Sequence, residues 1–484
     1  MSFPAFLTSS SLAAAATLAG YLLTLFLIRS VLLTKKEQPS STVAWIMVIV
    51  LIPLLGGLLF VIFGINRVDR RVRAKGATDR AIRRQFPRTA SYQVFQSELT
   101  SPVARAISLV ANRISATPVT AGNDVLVMAN THHAMGLIEK AISRARHSIH
   151  LEYYIWQRDK TGTDLRDLVI RKARDGVKVR FLYDGLGSLY LNERFLKPMR
   201  DVGVEVAAFL PGATMRERWS FNLRNHRKII VVDGKIGFTG GMNIGDEYLG
   251  RCRHRGYWRD THLRVEGPAV LHLQKVFAED WYFATNERLA DPDFYPENEE
   301  SGNMMAQVIA SGPLGHHNSS RLTFFEALAQ ARRSIQITTG YFVPPADLAQ
   351  AIETAALRGV HVQIMVPGRS SYLWTIFAGR SYYESLLDVG VEIYEYQRGA
   401  LHAKTMTVDG EWSLVGTANV DARSLLLNFE VGLAITDRGI AEQLERQFEL
   451  DIKDCLQIDP KTWHERPTWR VLSENAFRMF APVL

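Results

Sequence analysis

Two long apolar stretches stand at the beginning of the chain. Residues 1–28 carry no charged side chain, and residues 43–65 form a second uncharged run of 23 mostly apolar positions. A helix of about 20 apolar residues crosses the hydrocarbon core of a bilayer, so this pattern predicts a two-span transmembrane hairpin over residues 1–66. The alternative for the first stretch is a cleaved signal peptide, although the stretch lacks the positively charged start of such peptides.

Beyond residue 120, helical periodicities alternate with short β-branched runs, and the whole pattern occurs twice. Residues 141–149 recur as 327–335, and residues 201–206 recur as 388–393, at offsets of 186 and 187. The repeated order of strand and helix is typical of an α/β fold with a largely parallel or mixed sheet. The duplication predicts two similar α/β/α domains, residues 121–300 and 301–484, packed as a pseudo-twofold pair.

The first repeat has 11 additional residues within 207–225. This segment combines arginines with Trp219 and Phe221, a composition that suits a lipid–water boundary; a plain surface loop is the alternative. Tyr372, Trp374 and Phe377 in the second repeat are open to a similar interpretation, or to a place in the core of a helix.

Composition and charge narrow the class of protein. A hydrophobic content of 47% and a charged content of 22% exclude a disordered or fibrous chain. Two cysteines exclude a disulfide scaffold and a cysteine-rich metal cluster. The net charge of +8 could indicate nucleic acid, an anionic membrane or phosphate-bearing substrates.

The location of the charge decides between these partners. The segment between the apolar stretches contributes +2 and residues 67–88 contribute +7, which leaves −1 for the rest of the chain. Residues 67–120 are therefore predicted to be a basic juxtamembrane linker, and the positive-inside bias predicts a cytoplasmic body. The linker also suits anionic lipid headgroups, and nucleic acid is not expected as a partner.

One motif, H-x-K-x4-D-x6-G-x-x-N, closes each repeat. Its members are His226, Lys228, Asp233, Gly240 and Asn243 in the first copy, and His402, Lys404, Asp409, Gly416 and Asn419 in the second. Alternate residues of a strand share one face, so the histidine and lysine of each copy point the same way. If the repeats pair about a twofold axis, both copies converge on one pocket.

Such a pocket suits phosphodiester chemistry. Lysines and asparagine amides would hold the non-bridging oxygens of a phosphate, while one imidazole attacks phosphorus and the other protonates the leaving alkoxide. The alternative is that each histidine caps a strand and each lysine is a solvated charge. Neither a metal nor another cofactor is expected, because no carboxylate cluster accompanies the histidines.

These motifs resemble the two HKD motifs of the phospholipase D superfamily. The text of residues 224–248 (RNHRKIIVVDGKIGFTGGMNIGDEY), 257–270 (YWRDTHLRVEGPAV) and 401–431 is similar to that of bacterial cardiolipin synthases of the two-span, membrane-anchored type. The resemblance implies transfer of a phosphatidyl group from one phosphatidylglycerol to another, with release of glycerol. One departure is Gly241, where many superfamily members have serine; Thr417 would then supply a hydroxyl contact to phosphate from one half only.

The resemblance also implies roles for individual residues. His226 would be the nucleophile that carries the phosphatidyl group, and His402 the acid and base; the near symmetry of the two motifs leaves the reverse order open. The phosphate-binding positions are Lys228, Lys404, Asn243 and Asn419. Asp233 and Asp409, the motif aspartates, are grouped with the catalytic residues but are expected to support local structure. Asp260 and Glu430 would orient the imidazoles; surface carboxylates at a strand start are the alternative.

Several functions remain open on the same residues. A phospholipase D would use water as acceptor, another phosphatidyltransferase would use a different alcohol such as serine, and a non-catalytic lipid tether is the alternative of a different class. The expected partners are phosphatidylglycerol and an anionic bilayer at the bacterial inner membrane. A homo-oligomer is possible but not required, because one chain holds both motifs.

Overall fold

The computed structural model describes residues 9–33, 39–61, 93–94, 98–115, 117–210, 223–252, 256–297, 300–313, 318–370 and 373–479. The helices are α1 Ser9–Leu33, α2 Pro39–Leu51, α3 Pro53–Leu59, α4 Pro102–Ser115, α5 Thr131–Arg144, α6 Lys160–Arg174, α7 Glu193–Arg200, α8 Ala269–Thr285, α9 Ser319–Gln330, α10 Ala346–Leu357, α11 Leu373–Arg380, α12 Tyr383–Asp388, α13 Ala422–Leu426, α14 Arg438–Ile452, α15 Pro460–His464 and α16 Thr468–Arg478. Two 3-10 turns lie at Asp246–Leu249 and Pro292–Phe294.

The strands alternate with these helices along the body of the chain. They are β1 Thr120–Met128, β2 Ser148–Tyr153, β3 Lys178–Asp184, β4 Glu205–Phe209, β5 Lys228–Val232, β6 Ile236–Gly240, β7 Tyr257–Arg259, β8 His262–Glu266, β9 Met304–Ser311, β10 Ser334–Thr338, β11 Phe342–Val343, β12 His361–Pro367, β13 Glu392–Tyr396, β14 Gly399–Leu401, β15 Thr405–Val408, β16 Trp412–Gly416, β17 Val420–Asp421, β18 Glu430–Thr436 and β19 Cys455–Gln457.

The N-terminal helices α1 to α3 form a compact unit separate from the body. Leu27, Val31, Ile49 and Phe60 are buried between them, and the ring of Trp45 meets Phe60 edge-on at 5.5 Å. Among the described helices, none combines the length and the apolar character needed to cross a membrane. The two predicted spans therefore stay a prediction. The basic residues 67–88 lie outside the described residues, as does most of the arginine-rich segment within 207–225.

A 15-stranded sheet runs through the body, in the order β19-β13-β12-β10-β15-β16-β18-β9-β1-β8-β6-β5-β2-β3-β4. Strands β1 and β9 meet antiparallel at its centre. Outward from this junction, each half has four antiparallel pairings followed by two parallel ones, and the second half adds the antiparallel edge strand β19. The predicted duplicated α/β fold with a mixed sheet is confirmed.

One face of the sheet has a core shared by both halves. Val231 and Leu263 of the first half lie in the same buried cluster as Val415 and Leu433 of the second. Helices α8 and α14 cover this cluster with apolar side chains, including Leu273. Because the apolar layer continues across the β1–β9 junction, the two halves are held as one packed body, and the hydrophobic effect opposes their separation.

Candidate active site

The two HKD motifs occupy equivalent places at the same end of the sheet. Lys228 begins β5 and pairs with Tyr153, the last residue of β2. His226 therefore lies just past the carboxyl end of the parallel strands β2 and β3. In the second half, Lys404 comes directly before β15, whose first residue pairs with the last residue of β10. Both histidines precede their strands and do not lie on them, and both motifs lie at the carboxyl ends of parallel strands, where open α/β sheets form their sites.

Backbone hydrogen bonds tie each motif to the opposite half. The His226 N–H donates to the Phe429 carbonyl at 2.9 Å, and the Phe429 N–H donates to the Arg224 carbonyl at 2.9 Å. In the second motif, the His402 N–H donates to the Arg259 carbonyl at 2.7 Å, and β14 runs parallel to β7. Each histidine is therefore held beside the residue that precedes an acidic side chain of the other half.

These contacts join each imidazole to a buried carboxylate. The Nδ1 atom of His226 lies 2.9 and 3.0 Å from the two carboxylate oxygens of Glu430, and Nδ1 of His402 lies 2.8 Å from Oδ2 of Asp260. Glu430 and Asp260 are 0% and 1% exposed. The structure brings together the predicted orienting residues and the histidines, and the alternative of surface carboxylates is wrong for both.

The electrostatics define the protonation of the imidazoles. Burial lowers the pKa of His226 to about 4, although Glu430 acts in the opposite direction. Burial and the charge of Lys404 lower the pKa of His402 to about 4. Burial acts to raise the pKa of each carboxylate, but the paired histidine, a nearby lysine and further hydrogen-bond donors together lower that pKa overall. At neutral pH each imidazole is thus neutral with Nδ1–H donating to a carboxylate, which leaves the lone pair on Nε2.

Two buried lysines accompany the imidazoles. The Nζ atom of Lys228 donates to the His226 carbonyl at 2.7 Å, and Nζ of Lys404 donates to the His402 carbonyl. Burial lowers the pKa of Lys228 to about 7 and that of Lys404 to about 8. The ring of Tyr154 packs on both His226 and Lys228, with centroid distances of 4.8 and 5.3 Å. The charge of Lys404 contributes to lowering the pKa of Lys228, and an anionic ligand such as a phosphate would favour the charged form of both lysines.

The motif asparagines border the same region. Asn243 is buried and its Oδ1 accepts from the Ile155 N–H at 3.3 Å. Oδ1 of Asn419 is buried and has no hydrogen-bond partner among the described residues. A Cβ atom on Gly340 would lie 3.2 Å from this oxygen and 3.3 Å from Nζ of Lys404. A side chain at residue 340 would therefore press on both groups, so the bare backbone keeps this side of the site open.

The motif aspartates lie at the opposite end of the strands. Asp233 accepts hydrogen bonds of 2.7 to 2.9 Å from the N–H groups of Arg146, His147 and Ser148, at the start of β2. Asp409 accepts in the same way from residues 332–334. Five residues of β5 separate Asp233 from the histidine end. The two aspartates thus lie apart from the histidines and lysines, which agrees with the expected support of local structure, and their grouping with the catalytic residues stays a prediction.

The structure also corrects the expectation for Thr417. Its hydroxyl donates to Oε2 of Glu430 at 2.5 Å and accepts from the Val431 N–H at 3.0 Å. The hydroxyl proton is therefore used by Glu430 and does not contact a phosphate. The amide of Asn428 donates to Oε1 of Glu430 at 3.2 Å. No signal in the sequence pointed to Asn428, which lies in the bend just before β18.

A second polar cluster lies behind the first motif. The guanidinium of Arg227 pairs with Asp280 and donates to the carbonyls of Glu430 and Ser311 at 3.1 and 3.0 Å. Burial and the neighbouring Asp280 raise the pKa of Glu152 well above its usual value. Because Arg227 bonds to both halves, it fixes the first motif against the strand that carries Glu430. The only signal in the sequence was its position inside the motif.

Metal ligation has no support in the side-chain arrangement. Within the described residues, no group of three or more histidine, cysteine, aspartate and glutamate side chains is placed to hold a metal ion. In the catalytic cluster, each histidine has a carboxylate on Nδ1 and a lysine two residues away. The absence of a metal from the reaction stays a prediction.

The fold and the family follow from comparison with known proteins. The phosphatidylserine synthase of Haemophilus influenzae Rd KW20 has a similar structure, with a TM-score of 0.61, 16% identity, and coverage of 79% of this chain and 100% of that one. The family described as "Cardiolipin synthase, PLD-like domain" matches residues 138–281 and 324–452. A second family, "Phospholipase D-nuclease N-terminal", matches residues 22–64. The body thus has the duplicated PLD-like fold.

Curated relatives extend this match over almost the whole chain. A protein named cardiolipin synthase from Geobacillus kaustophilus is 39% identical over 93% of this chain and 90% of its own length. A protein named cardiolipin synthase 1 from Bacillus cereus is 36% identical over 99% of this chain and 96% of its own. The chain therefore belongs to the cardiolipin synthase family, a group of phosphatidyltransferases in the phospholipase D superfamily.

Proposed function

We propose that the protein makes cardiolipin by moving a phosphatidyl group from one phosphatidylglycerol to another through a phosphatidyl-histidine intermediate. The observation that carries this proposal is the pair of neutral imidazoles, each held through Nδ1 by a carboxylate of the opposite half, beside two buried lysines. The names of the curated relatives support the substrate class.

In the first step His226 is the nucleophile. Its Nε2 lone pair attacks phosphorus, a P–N bond forms, and the P–O bond to the departing glycerol breaks. His402 gives its Nε2 proton to the glycerol oxygen. It acquires that proton in the loaded site because a bound phosphate anion raises the pKa of a neighbouring imidazole, and Asp260 stabilises the imidazolium. Lys228 and Lys404 stabilise the charge on the non-bridging oxygens.

The second step reverses the first with a new alcohol. His402, now neutral, removes the proton from the terminal hydroxyl of a second phosphatidylglycerol. That oxygen attacks phosphorus, the P–O bond of cardiolipin forms, and the P–N bond to His226 breaks. Both carboxylates accept further hydrogen bonds, Glu430 from Thr417 and Asn428 and Asp260 from the Thr261 N–H, so both imidazoles keep the tautomer with the Nε2 lone pair available. The choice of His226 as the nucleophile rests on the resemblance to two-motif relatives.

We also infer that residues 1–66 anchor the protein in the bacterial inner membrane, with the body on the cytoplasmic side. In α1 to α3, large apolar side chains are exposed, including Leu22 at 59%, Phe26 at 60%, Leu51 at 72% and Leu54 at 78%. Apolar surface of this extent is stable in lipid and unfavourable in water. A membrane-impermeant maleimide should label Cys252 in inside-out vesicles only; labelling in right-side-out vesicles would contradict the orientation.

The reaction is tested with the full-length protein in phosphatidylglycerol vesicles and mass spectrometry of the products. Cardiolipin with equimolar glycerol supports the proposal, whereas phosphatidate alone would identify a hydrolase. His226→Ala and His402→Ala should each abolish turnover while the protein stays folded, and His361→Ala, an exposed histidine, serves as the control. Substantial turnover in either variant would refute the two-histidine mechanism.

The intermediate is tested separately. The reaction is stopped in alkaline denaturant, in which a phosphohistidine survives, and the digested peptides are analysed by mass spectrometry. We expect the phosphatidyl group on the peptide that contains His226. Its presence on the His402 peptide would exchange the two roles, and its absence from both under single-turnover conditions would refute covalent catalysis.

A further inference from the structure

Two pairs of large apolar side chains are exposed on the body at equivalent places. Leu189 and Tyr190 follow β3 and are 65% and 68% exposed, and Leu373 and Trp374 follow β12 and are 63% and 42% exposed. Strands β3 and β12 hold the same position in the two halves of the sheet. Each pair comes after the carboxyl end of its strand, at the end of the sheet where the histidines lie. We call these four side chains the mouth residues.

Contacts in the first half place its pair beside the catalytic cluster. Asp184, at the end of β3, accepts from the Asn225 N–H at 2.8 Å. The Ser188 hydroxyl donates to the Tyr154 carbonyl at 2.9 Å, and the Tyr154 ring packs on His226. Leu189 directly follows Ser188. The first pair is therefore one residue from a segment that is hydrogen-bonded to the wall of the active site.

The second pair is placed by helix α11. Its Gly379 packs closely on the Phe342 carbonyl of β11, because an added Cβ would lie 2.6 Å from that oxygen. Strand β11 pairs with β17, which directly follows Asn419. Leu373 and Trp374 form the beginning of this helix. The second pair thus stands on an element joined to the other side of the same site.

We propose that the mouth residues insert into the surface of the lipid bilayer on either side of the active site. This inference rests on the proposed lipid substrate. Aromatic side chains with a polar edge, together with leucine, favour the boundary between headgroups and acyl chains. Two contact points, one from each half, set the orientation of the body, so that a headgroup reaches the lysines while its acyl chains stay in lipid.

A bilayer fits these positions better than a protein partner does. A protein that contacted both pairs would lie across the opening between them and cover the histidines. A bilayer presents the substrate at that same place. The duplication also explains why the same type of side chain occurs after β3 and after β12, since both halves meet the same flat surface.

Insertion is measured on the full-length protein with Cys252→Ser and Cys455→Ser. Leu189→Cys or Leu373→Cys is labelled with the dye NBD, and the protein is reconstituted in vesicles of phosphatidylglycerol and phosphatidylcholine. We expect a blue-shifted emission that spin-labelled lipids quench. The matched control is Leu357→Cys: Leu357 is 71% exposed but precedes β12, at the opposite end of the sheet, and should report water. Water-like emission at residues 189 and 373 would overturn the proposal.

A kinetic comparison provides the second measurement. The double variant Leu189→Asn with Leu373→Asn should lower the ratio of the rate on vesicle phosphatidylglycerol to the rate on a monomeric short-chain phosphatidylglycerol about tenfold. Leu357→Asn should leave that ratio unchanged. An unchanged ratio in the double variant would overturn the proposal. A protein that shows inserted labels but makes no cardiolipin would refute the proposed function and leave the bilayer contact standing.

Discussion

Replacing Lys228 by methionine should stabilise the folded protein while it abolishes the reaction. The Lys228 side chain is completely buried, and burial lowers its pKa from 10.5 to about 7. Folding therefore takes a group that is charged in the unfolded chain into a place that disfavours its charge. Methionine has a similar length and no charge, so Lys228→Met removes this cost together with the cation that we propose contacts the phosphate.

The magnitude follows from the two pKa values. The difference between 10.5 and about 7 corresponds to about 5 kcal/mol of folding free energy at low pH. The variant also loses the hydrogen bond from Nζ to the His226 carbonyl, and an unsatisfied buried carbonyl costs about 1–3 kcal/mol. The net gain is about 2–4 kcal/mol, which raises the unfolding temperature by about 2–5 °C for a body of this size.

The pH dependence separates this reasoning from a general packing effect. Below pH 7 the lysine is charged in both states and the full cost is present. Between pH 7 and 10.5 the folded state is already neutral, so the advantage of the variant shrinks as pH rises. Thermal unfolding of the detergent-solubilised protein should show a clear gain at pH 6 that disappears near pH 9.5. An equal rise in unfolding temperature at both pH values, or a lower unfolding temperature at pH 6, would refute the proposed cost of burying the lysine charge. Lys235→Met, at an exposed position after the same strand, should change stability little.

Three further outcomes are expected. The value of kcat/KM should fall as pH rises past 7 to 8, because Lys228 and Lys404 lose the charge that binds phosphate; a flat profile from pH 6 to 9 would contradict this. Thr417→Val removes a donor to Glu430 and should lower kcat about 10- to 100-fold with little change in KM, which steady-state kinetics on vesicles can check. Asp233→Ala leaves three backbone N–H groups without their acceptor and should cost about 1–3 kcal/mol of stability, measured by thermal unfolding, with kcat of the folded protein nearly intact.

Local elements of the site could be predicted from the sequence because their signals are local. The β-branched runs after each histidine correspond to β5, Lys228–Val232, and β15, Thr405–Val408. The spacing of His226 and Lys228 predicts a shared strand face, although His226 precedes β5, and the repeated text predicts the duplicated fold. All of these depend on fewer than ten consecutive residues or on direct comparison of the halves.

The arrangement between the halves could not be predicted in this way. The hydrogen bond between His226 and Glu430 joins residues 204 positions apart, and it depends on how β1 and β9 meet at the centre of the sheet. A single sequence carries no signal for that register. The role of Thr417 was misjudged for a different reason: its place in the motif suggested a phosphate contact, but its hydroxyl donates to Glu430, a buried carboxylate of the same half.

The two halves of the site differ in one coupled respect. A Cβ atom on Gly241 would lie 2.0 Å from Oδ1 of Asp260, so no side chain fits between the first motif and its carboxylate. At the equivalent place in the second motif, Thr417 fits and donates to Glu430. Glycine at residue 241 thus faces the shorter aspartate, Asp260, and threonine at residue 417 faces the longer glutamate, Glu430. A side chain at residue 241 alone would clash with Asp260, and a glycine at residue 417 alone would remove one of the donors to Glu430. Each carboxylate is therefore matched to the motif residue that faces it, and the two must change together to keep both contacts.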